Sequence, residues 1–169
     1  MLSPKQFGAI YDRYVDKIYR FVFLKVSSQV IAEDLTSETF TRTLEYIKRN
    51  PGTKIDNMQA FLYRSARNAV TDYYRQKSRT DVPLDYESQE IVSREMPDVD
   101  RPDMAAAQGE QMTQIRTALA KMESEHADVV MWHYVEDMSI KDIAKMLDKS
   151  EGAVRVALHR GLKDLRERL

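Results

Sequence analysis

Residues 139–160 read SIKDIAKMLDKSEGAVRVALHR, and this stretch decides the fold of the C-terminal part of the chain. Apolar residues recur at helical spacing on both sides of a short polar break, as they do in two amphipathic helices. Ser139 and Ser150 each stand where a helix N-cap is expected, and Asp148-Lys149 lies in the turn between the helices. A short helix, a tight turn and a longer helix over 150–168 predict a helix-turn-helix.

The second helix of this pair is predicted to present a basic outer face. Five of its apolar residues are expected to face inward: Val154, Leu158, Leu162, Leu165 and Leu169. The strip opposite them holds Arg155, His159, Lys163 and Arg166, and it is flanked by Glu151, Gly152, Val156 and Arg160. A recognition helix reads base edges with its N-terminal half and contacts phosphates around it. The pattern therefore favours duplex DNA binding over an ordinary helical hairpin with a basic surface.

Helical periodicity covers the rest of the chain except residues 80–103. Three helices are predicted at 4–26, 30–48 and 57–78, and further helices begin near residue 106 and around residue 129. No strand pattern occurs. The sequence thus predicts an all-α protein with a three-helix N-terminal domain at 1–79, a linker at 80–105 and a four-helix C-terminal domain at 106–169.

The net charge is −1, but the charged side chains are distributed unevenly along the chain. Residues 1–79 hold 14 basic and 8 acidic side chains, which indicates a nucleic-acid surface in the N-terminal domain. Residues 80–103 hold 8 acidic and 2 basic side chains and three of the five prolines, and so predict an extended acidic linker.

The third helix carries a second polar face opposite its apolar stripe. Four side chains recur there at helical spacing: Arg64, Asn68, Thr71 and Arg75. Residues 60–79 hold five basic side chains and a single acid, Asp72, with Tyr63, Tyr73 and Tyr74 interleaved. Basic groups beside aromatic rings suit unstacked single strands. The alternative is that the tyrosines fill the core, which the pattern favours for Tyr73 and less for the other two.

The sequence offers little for enzyme chemistry. With no cysteine, disulfides, thiol catalysis and cysteine-ligated metals are excluded. His126 and His133 could share a helix face but lack further ligands, and the five glycines form no phosphate loop. No apolar run could span a membrane, and residues 1–5 show no leader pattern. We expect a cytoplasmic protein that is not an enzyme and has no cofactor, metal, small-molecule substrate or membrane insertion.

Three segments, in order, resemble motifs of bacterial sigma factors. Residues 32–40, AEDLTSETF, resemble AEDLxQExF; residues 61–73, FLYRSARNAVTDY, resemble WLYRIARNxxxDY; and residues 150–160, SEGAVRVALHR, resemble SEGTVKSRLHRA. Together they resemble the extracytoplasmic-function (ECF) subgroup of the sigma-70 family, which keeps regions 2 and 4 joined by a linker. The resemblance covers nearly the whole chain.

This resemblance implies a non-enzymatic factor that binds core RNA polymerase and promoter DNA. The β′ clamp helices would be contacted by Glu33, Asp34, Leu35, Glu38 and Phe40, with Leu35 and Phe40 as apolar contacts or core. The non-template strand of the melted minus-10 element would be held by Arg64, Arg67, Asn68, Thr71, Asp72 and Arg75. The minus-35 duplex would be contacted by Ser150, Glu151, Gly152, Arg155, Val156, His159, Arg160 and Lys163. The acidic linker would thread towards the active-site and RNA-exit channels of the polymerase, the alternative being a generic solvated linker. The β subunit and an anti-sigma factor would be further partners.

Three positions depart from the family pattern: Ser37 replaces Gln, Phe61 replaces Trp, and Val156 replaces Ser or Thr. Two other interpretations stay open. A different helix-turn-helix regulator with a helical sensor domain would bind a palindromic duplex as a dimer, but it has no reason to carry the 32–40 motif. A helical adaptor without a DNA role would need neither basic face.

Overall fold

The computed structural model describes residues 2–79 and 105–169, and the predicted linker at 80–103 lies outside these residues. Within the described ranges the chain is helical and has no strand, which confirms the predicted fold class. The described residues form two compact units, one on each side of residues 80–104.

The first unit contains three long helices: α1 (Pro4–Val26), α2 (Gln29–Arg49) and α3 (Met58–Arg79). Their starts are set by local caps. Ser3 Oγ accepts a hydrogen bond from the Gln6 amide at 3.2 Å, and the Gln6 side chain accepts one from the Ser3 amide at 2.8 Å, which completes a capping box. At the start of α3, Asn57 Oδ1 accepts from the Ala60 amide at 3.0 Å, as the sequence predicts.

The core of the first unit combines apolar side chains with buried threonines. Thr36, Thr39 and Thr43 are buried on α2, and each hydroxyl donates to the carbonyl four residues earlier, at 2.6 to 2.8 Å. Because their hydroxyls are satisfied within the helix, these side chains can pack against neighbouring helices without an unmet polar group. The apolar core around them includes Ile18, Phe21, Val22, Leu35, Phe40, Leu62 and Ala66.

The second unit contains α4 (Ala105–Lys121), α5 (Ser124–Val130), α6 (Ile140–Leu147) and α7 (Glu151–Arg168). Helix α5 continues as a π-helical turn over Met131–Val135, which periodicity alone did not predict. Within this turn Trp132 is fully buried, and Val129, Ile143 and Val154 are buried in the same unit. The four predicted helices are present, with this turn as an addition.

Helix α7 approaches α5 closely at Gly161. A Cβ atom at this position would lie 2.7 Å from Val130 Cγ2 and 2.9 Å from the His126 carbonyl oxygen, so only glycine fits without a shift. Beyond Gly161, Leu162 and Leu165 are half-buried. Leu169 follows the last residue of α7 and is 61% exposed, so the prediction that it faces inward is wrong.

Candidate nucleic-acid and partner interfaces

Local capping builds the helix-turn-helix. Ser139 Oγ accepts from the Asp142 amide at 3.0 Å, and Ser150 Oγ accepts from the Ala153 amide at 3.1 Å. Between the two caps Asp148 is left-handed, with φ of 54°, and ends α6. Short polar residues reach this conformation more readily than others, and the chain can then reverse within three residues. The structure confirms the predicted motif.

The turn is also attached to the rest of the second unit. The Lys149 ammonium forms an ion pair with the Glu125 carboxylate on α5, although the two residues are 24 positions apart. This contact positions the start of α7 relative to α5. Sequence reasoning missed it, because neither residue stands in a motif that indicates the other.

The outer face of α7 is open to solvent. Its inner face buries Val154, Ala157 and Leu158, as the periodicity of the first two turns indicates. All the residues predicted to contact duplex DNA are exposed: Ser150, Glu151, Gly152, Arg155, Val156, His159, Arg160 and Lys163. The structure therefore brings them together on one accessible surface, which we call the α7 face.

The outer side of α3 is more mixed. Arg64, Asn68, Thr71 and Arg75 are exposed, whereas Arg67 and Asp72 are half-buried. The Thr71 hydroxyl donates to the Arg67 carbonyl at 2.9 Å, so its donor is already used within the helix and only its oxygen can accept from a ligand. These six residues, which we call the α3 face, form one surface at the side of the three-helix unit.

The tyrosines of α3 differ from the prediction. Tyr63 is fully buried, with its ring edge-on to Phe21 at 5.5 Å between centroids, so it is a core residue. Tyr73 is half-buried, with the Lys77 ammonium 5.3 Å from its ring centroid. Tyr74 is exposed along one side, and its hydroxyl donates to the Lys25 carbonyl on α1. Burial, with a smaller effect of Tyr73, raises the pKa of Tyr74.

The acidic motif on α2 is divided between surface and core. Glu33 and Asp34 are exposed and Glu38 is half-exposed, so three carboxylates can reach a partner. Leu35 and Phe40 are buried instead. Their burial agrees with the second of the two predicted roles, apolar contact or core, because helical periodicity turns both residues towards the other helices.

Arg42 connects the acidic motif with the α3 face. Its guanidinium pairs with Glu38 one turn earlier on α2, and Nη1 donates to Asp72 Oδ2 on α3 at 3.3 Å. The Glu38–Arg42 spacing is visible in the sequence as an (i, i+4) pair. The contact with Asp72 spans 30 positions and is a tertiary feature that sequence reasoning missed.

Across residues 2–79 and 105–169, no group of three or more His, Cys, Asp or Glu side chains is arranged to hold a metal ion. None of the helices in those ranges is long and apolar enough to cross a membrane.

The fold and these surfaces define a class of protein: an all-helical, two-unit protein with a helix-turn-helix that has an exposed outer face. Comparison with known families is more specific. Models described as sigma-70 region 2 and sigma-70 region 4 match residues 10–80 and 112–165. The chain belongs to the sigma-70 family, in its ECF subgroup.

Relatives of known function support this assignment along nearly the whole chain. The chain is 28% identical to the ECF RNA polymerase sigma factor BldN of Streptomyces coelicolor, over 94% of this chain and 58% of that protein. It is also 28% identical to the ECF RNA polymerase sigma factor SigX of Bacillus subtilis, over 96% of this chain and 83% of that protein. The chain thus spans little more than half the length of the first relative and most of the second.

A solved structure has the same fold. The sigma factor RpoE of Bartonella quintana, determined in complex with the anti-sigma factor NepR, superposes with a TM-score of 0.73. The superposition covers 97% of this chain and 96% of RpoE at 17% identity. At this identity the likeness supports the architecture and not the roles of individual residues.

Proposed function

We propose that this protein is an RNA polymerase sigma factor that binds core RNA polymerase and directs recognition and melting of a particular set of promoters in the cytoplasm. The observation that carries the proposal is the order of three exposed surfaces along the chain. An acidic surface on α2 and the α3 face fall within the region 2 match, and the α7 face falls within the region 4 match. On this proposal the protein catalyses no reaction.

The acidic surface of α2 is our candidate for polymerase binding. Glu33, Asp34 and Glu38 present carboxylates on accessible turns of one helix, which suits a basic partner surface such as the β′ clamp helices. Because Leu35 and Phe40 are buried, we expect this contact to be mainly electrostatic.

The α3 face is our candidate for the melted minus-10 strand. Asn68 is exposed and its carboxamide both donates and accepts, so it can pair with the edge of an unstacked base. Arg64 and Arg75 flank it on the same side of the helix and would contact phosphates. Arg67 is half-buried and is assigned the smaller share of phosphate contact.

The α7 face is our candidate for the minus-35 duplex. Arg155 lies in the second turn of α7 and is exposed, and its planar guanidinium can donate to guanine O6 and N7 together. Arg160 and Lys163 lie further along the helix and would hold backbone phosphates. The free amides at the start of α7 favour a phosphate as well.

Two further partners belong to the proposal. The first is an anti-sigma factor, because RpoE, which has the same fold, was solved in complex with the anti-sigma factor NepR. The acidic segment at 80–103, with 8 acidic side chains, would enter polymerase channels that accept a polyanion, beside the β subunit.

The test is reconstitution of the chain with core RNA polymerase, followed by genome-wide mapping of transcription start sites. We expect a set of starts that core polymerase alone does not produce. As a matched pair, Asp34→Lys should weaken polymerase binding by about 1 kcal/mol or more, since it reverses an exposed charge at the proposed interface. Asp12→Lys, an equal charge change on α1 outside the motif, should have a smaller effect.

Three results would contradict the proposal. The first is the absence of new start sites. The second is equal polymerase affinity of the Asp34→Lys variant and the unmodified chain. The third is tight, dimeric binding of palindromic duplexes without polymerase, which would support the helix-turn-helix regulator instead.

A further inference from the structure

Asp72 is an anomaly within the α3 face. It is the only acidic residue between positions 60 and 79. Along the helix it lies one turn after Asn68 and one turn before Arg75, the residues assigned to a base and a phosphate. An uncompensated carboxylate at this place would repel the strand, because charges within about 10 Å interact strongly at moderate salt.

The structure places a compensating charge next to Asp72, and that charge comes from another helix. Arg42 Nη1 lies 3.3 Å from Asp72 Oδ2, and both side chains remain open to solvent, at 43% and 44% exposed. Arg42 is in turn held from its own helix by Glu38. The guanidinium therefore stands at the edge of the α3 face and is oriented by two carboxylates on different helices.

We infer that Arg42 is a positioning residue of the single-strand surface, whose task is to neutralise Asp72 so that the α3 face accepts a phosphate backbone. The inference rests on the proposed function, because it concerns the same single-strand surface. It changes the role of Asp72 from a DNA contact to a carboxylate that Arg42 neutralises. It also adds to the surface a residue that lies outside the 61–73 motif.

Substitutions of Asp72 and Arg42 distinguish charge neutralisation from direct contact of either residue with the DNA strand. If Asp72 only needs to be neutralised, Asp72→Asn leaves single-strand affinity equal or higher, because it removes the repulsive group. If Asp72 contacts the strand itself, the same change lowers affinity. If Arg42 acts by contacting a phosphate, removal of Asp72 does not restore the loss caused by removal of Arg42.

The experiment measures binding of the full-length chain to a fluorescein-labelled, random-sequence single strand of about 12 nucleotides, a length within known single-strand site sizes. Fluorescence anisotropy at low salt gives the affinity. A random sequence is suitable because the proposed effect acts on phosphates and not on bases. Thermal unfolding of each variant shows whether the fold is retained.

We expect Arg42→Gln to lower affinity about two- to fivefold, the range typical of an exposed charge pair. Asp72→Asn should not lower it, and the double variant should return to the affinity of the unmodified chain. Arg42→Lys keeps the charge and should keep most of the affinity. Arg49→Gln removes an equal charge about 10 Å further along α2, outside the ion pair, and should have a smaller effect than Arg42→Gln.

Weaker binding by Asp72→Asn, or no recovery in the double variant, overturns the inference. A purely structural role for Arg42 predicts that both Arg42→Gln and the double variant lose affinity equally, since the ion pair is broken in both. Absence of binding by the unmodified chain would instead contradict the single-strand part of the proposed function. Binding that Arg42→Gln leaves unchanged contradicts the inference alone.

Discussion

The two basic faces of this protein are built in different ways. The α7 face consists of exposed side chains of one helix, whose start is set by the Ser150 cap and the left-handed Asp148. The α3 face depends on its neighbours: Tyr74 donates to a carbonyl of α1, and Asp72 is paired with Arg42 of α2. The face proposed to read a duplex thus belongs to one helix oriented by its cap, whereas the face proposed to bind a single strand lies on a helix that is attached to two others.

The largest expected effect is on stability, and it tests whether the helix that carries the α7 face depends on its close packing against α5. Gly161→Ala places a methyl group 2.7 Å from Val130 Cγ2 and 2.9 Å from the His126 carbonyl oxygen. Because a backbone oxygen cannot move aside cheaply, we expect about 3 kcal/mol of lost stability. Denaturant unfolding of the full chain measures it.

Gly152→Ala is the matched control, since a Cβ there meets only Ser150 Oγ at 3.9 Å. It adds the same methyl group to the same helix and should leave the second unit at least as stable. Equal unfolding midpoints for the two variants would contradict the close approach of α7 to α5.

The next effect concerns the reading of bases by the α7 face. Arg155→Ala should lower the binding free energy by about 1–3 kcal/mol through the loss of contact with one base pair of the minus-35 element, and it should relax the base preference at that position. Arg160→Ala should weaken binding to all duplexes alike and reduce the salt dependence of the binding affinity. Transcription from a set of minus-35 variants separates the two outcomes. If Arg155→Ala weakens every variant equally, Arg155 is a phosphate contact and not a base reader.

A smaller effect is expected on the α3 face, where Asn68 is proposed to act beside several phosphate contacts. Asn68→Ala should lower open-complex formation by about 1 kcal/mol, the net value of one hydrogen bond, while polymerase binding is unchanged. Permanganate footprinting of the melted region measures this, with a polymerase-binding assay as its control. Equal opening by Asn68→Ala and the unmodified chain would remove Asn68 from the surface.

The smallest effect tests the attachment of α3 to α1. Tyr74→Phe removes the hydroxyl that donates to the Lys25 carbonyl and should cost about 0.5–1 kcal/mol of stability. Because burial raises the pKa of Tyr74 above its ordinary value of 10.0, the neutral hydroxyl is favoured in the folded state. The stability that the neutral Tyr74 hydroxyl contributes is fully present below pH 10.0 and is lost as the pH rises through the folded-state pKa.

We therefore expect the free energies of unfolding of Tyr74→Phe and the unmodified chain, measured from pH 8 to 11, to differ at pH 8 and to converge at the alkaline end. A constant difference across this range would contradict the hydroxyl contact as its source.

Much of the architecture followed from the sequence, because its signals are local. Caps at Ser139, Ser150 and Asn57 each involve residues three positions apart, and the structure contains all three. The errors lie where burial depends on distant elements. Tyr63 is buried with its ring against Phe21 of α1, and Leu169, which follows the end of α7, is exposed.

The sequence by itself determined the helices, their caps, the helix-turn-helix and the side chains that form the α7 face, since these depend on spacing within one or two turns. Only the tertiary structure decided that Tyr63 is core, that Gly161 lies against α5, and that Arg42 meets Asp72. The physical reason is separation along the chain. Contacts across 30 or 49 positions form only when the core brings helices together, and no periodicity within a helix encodes them.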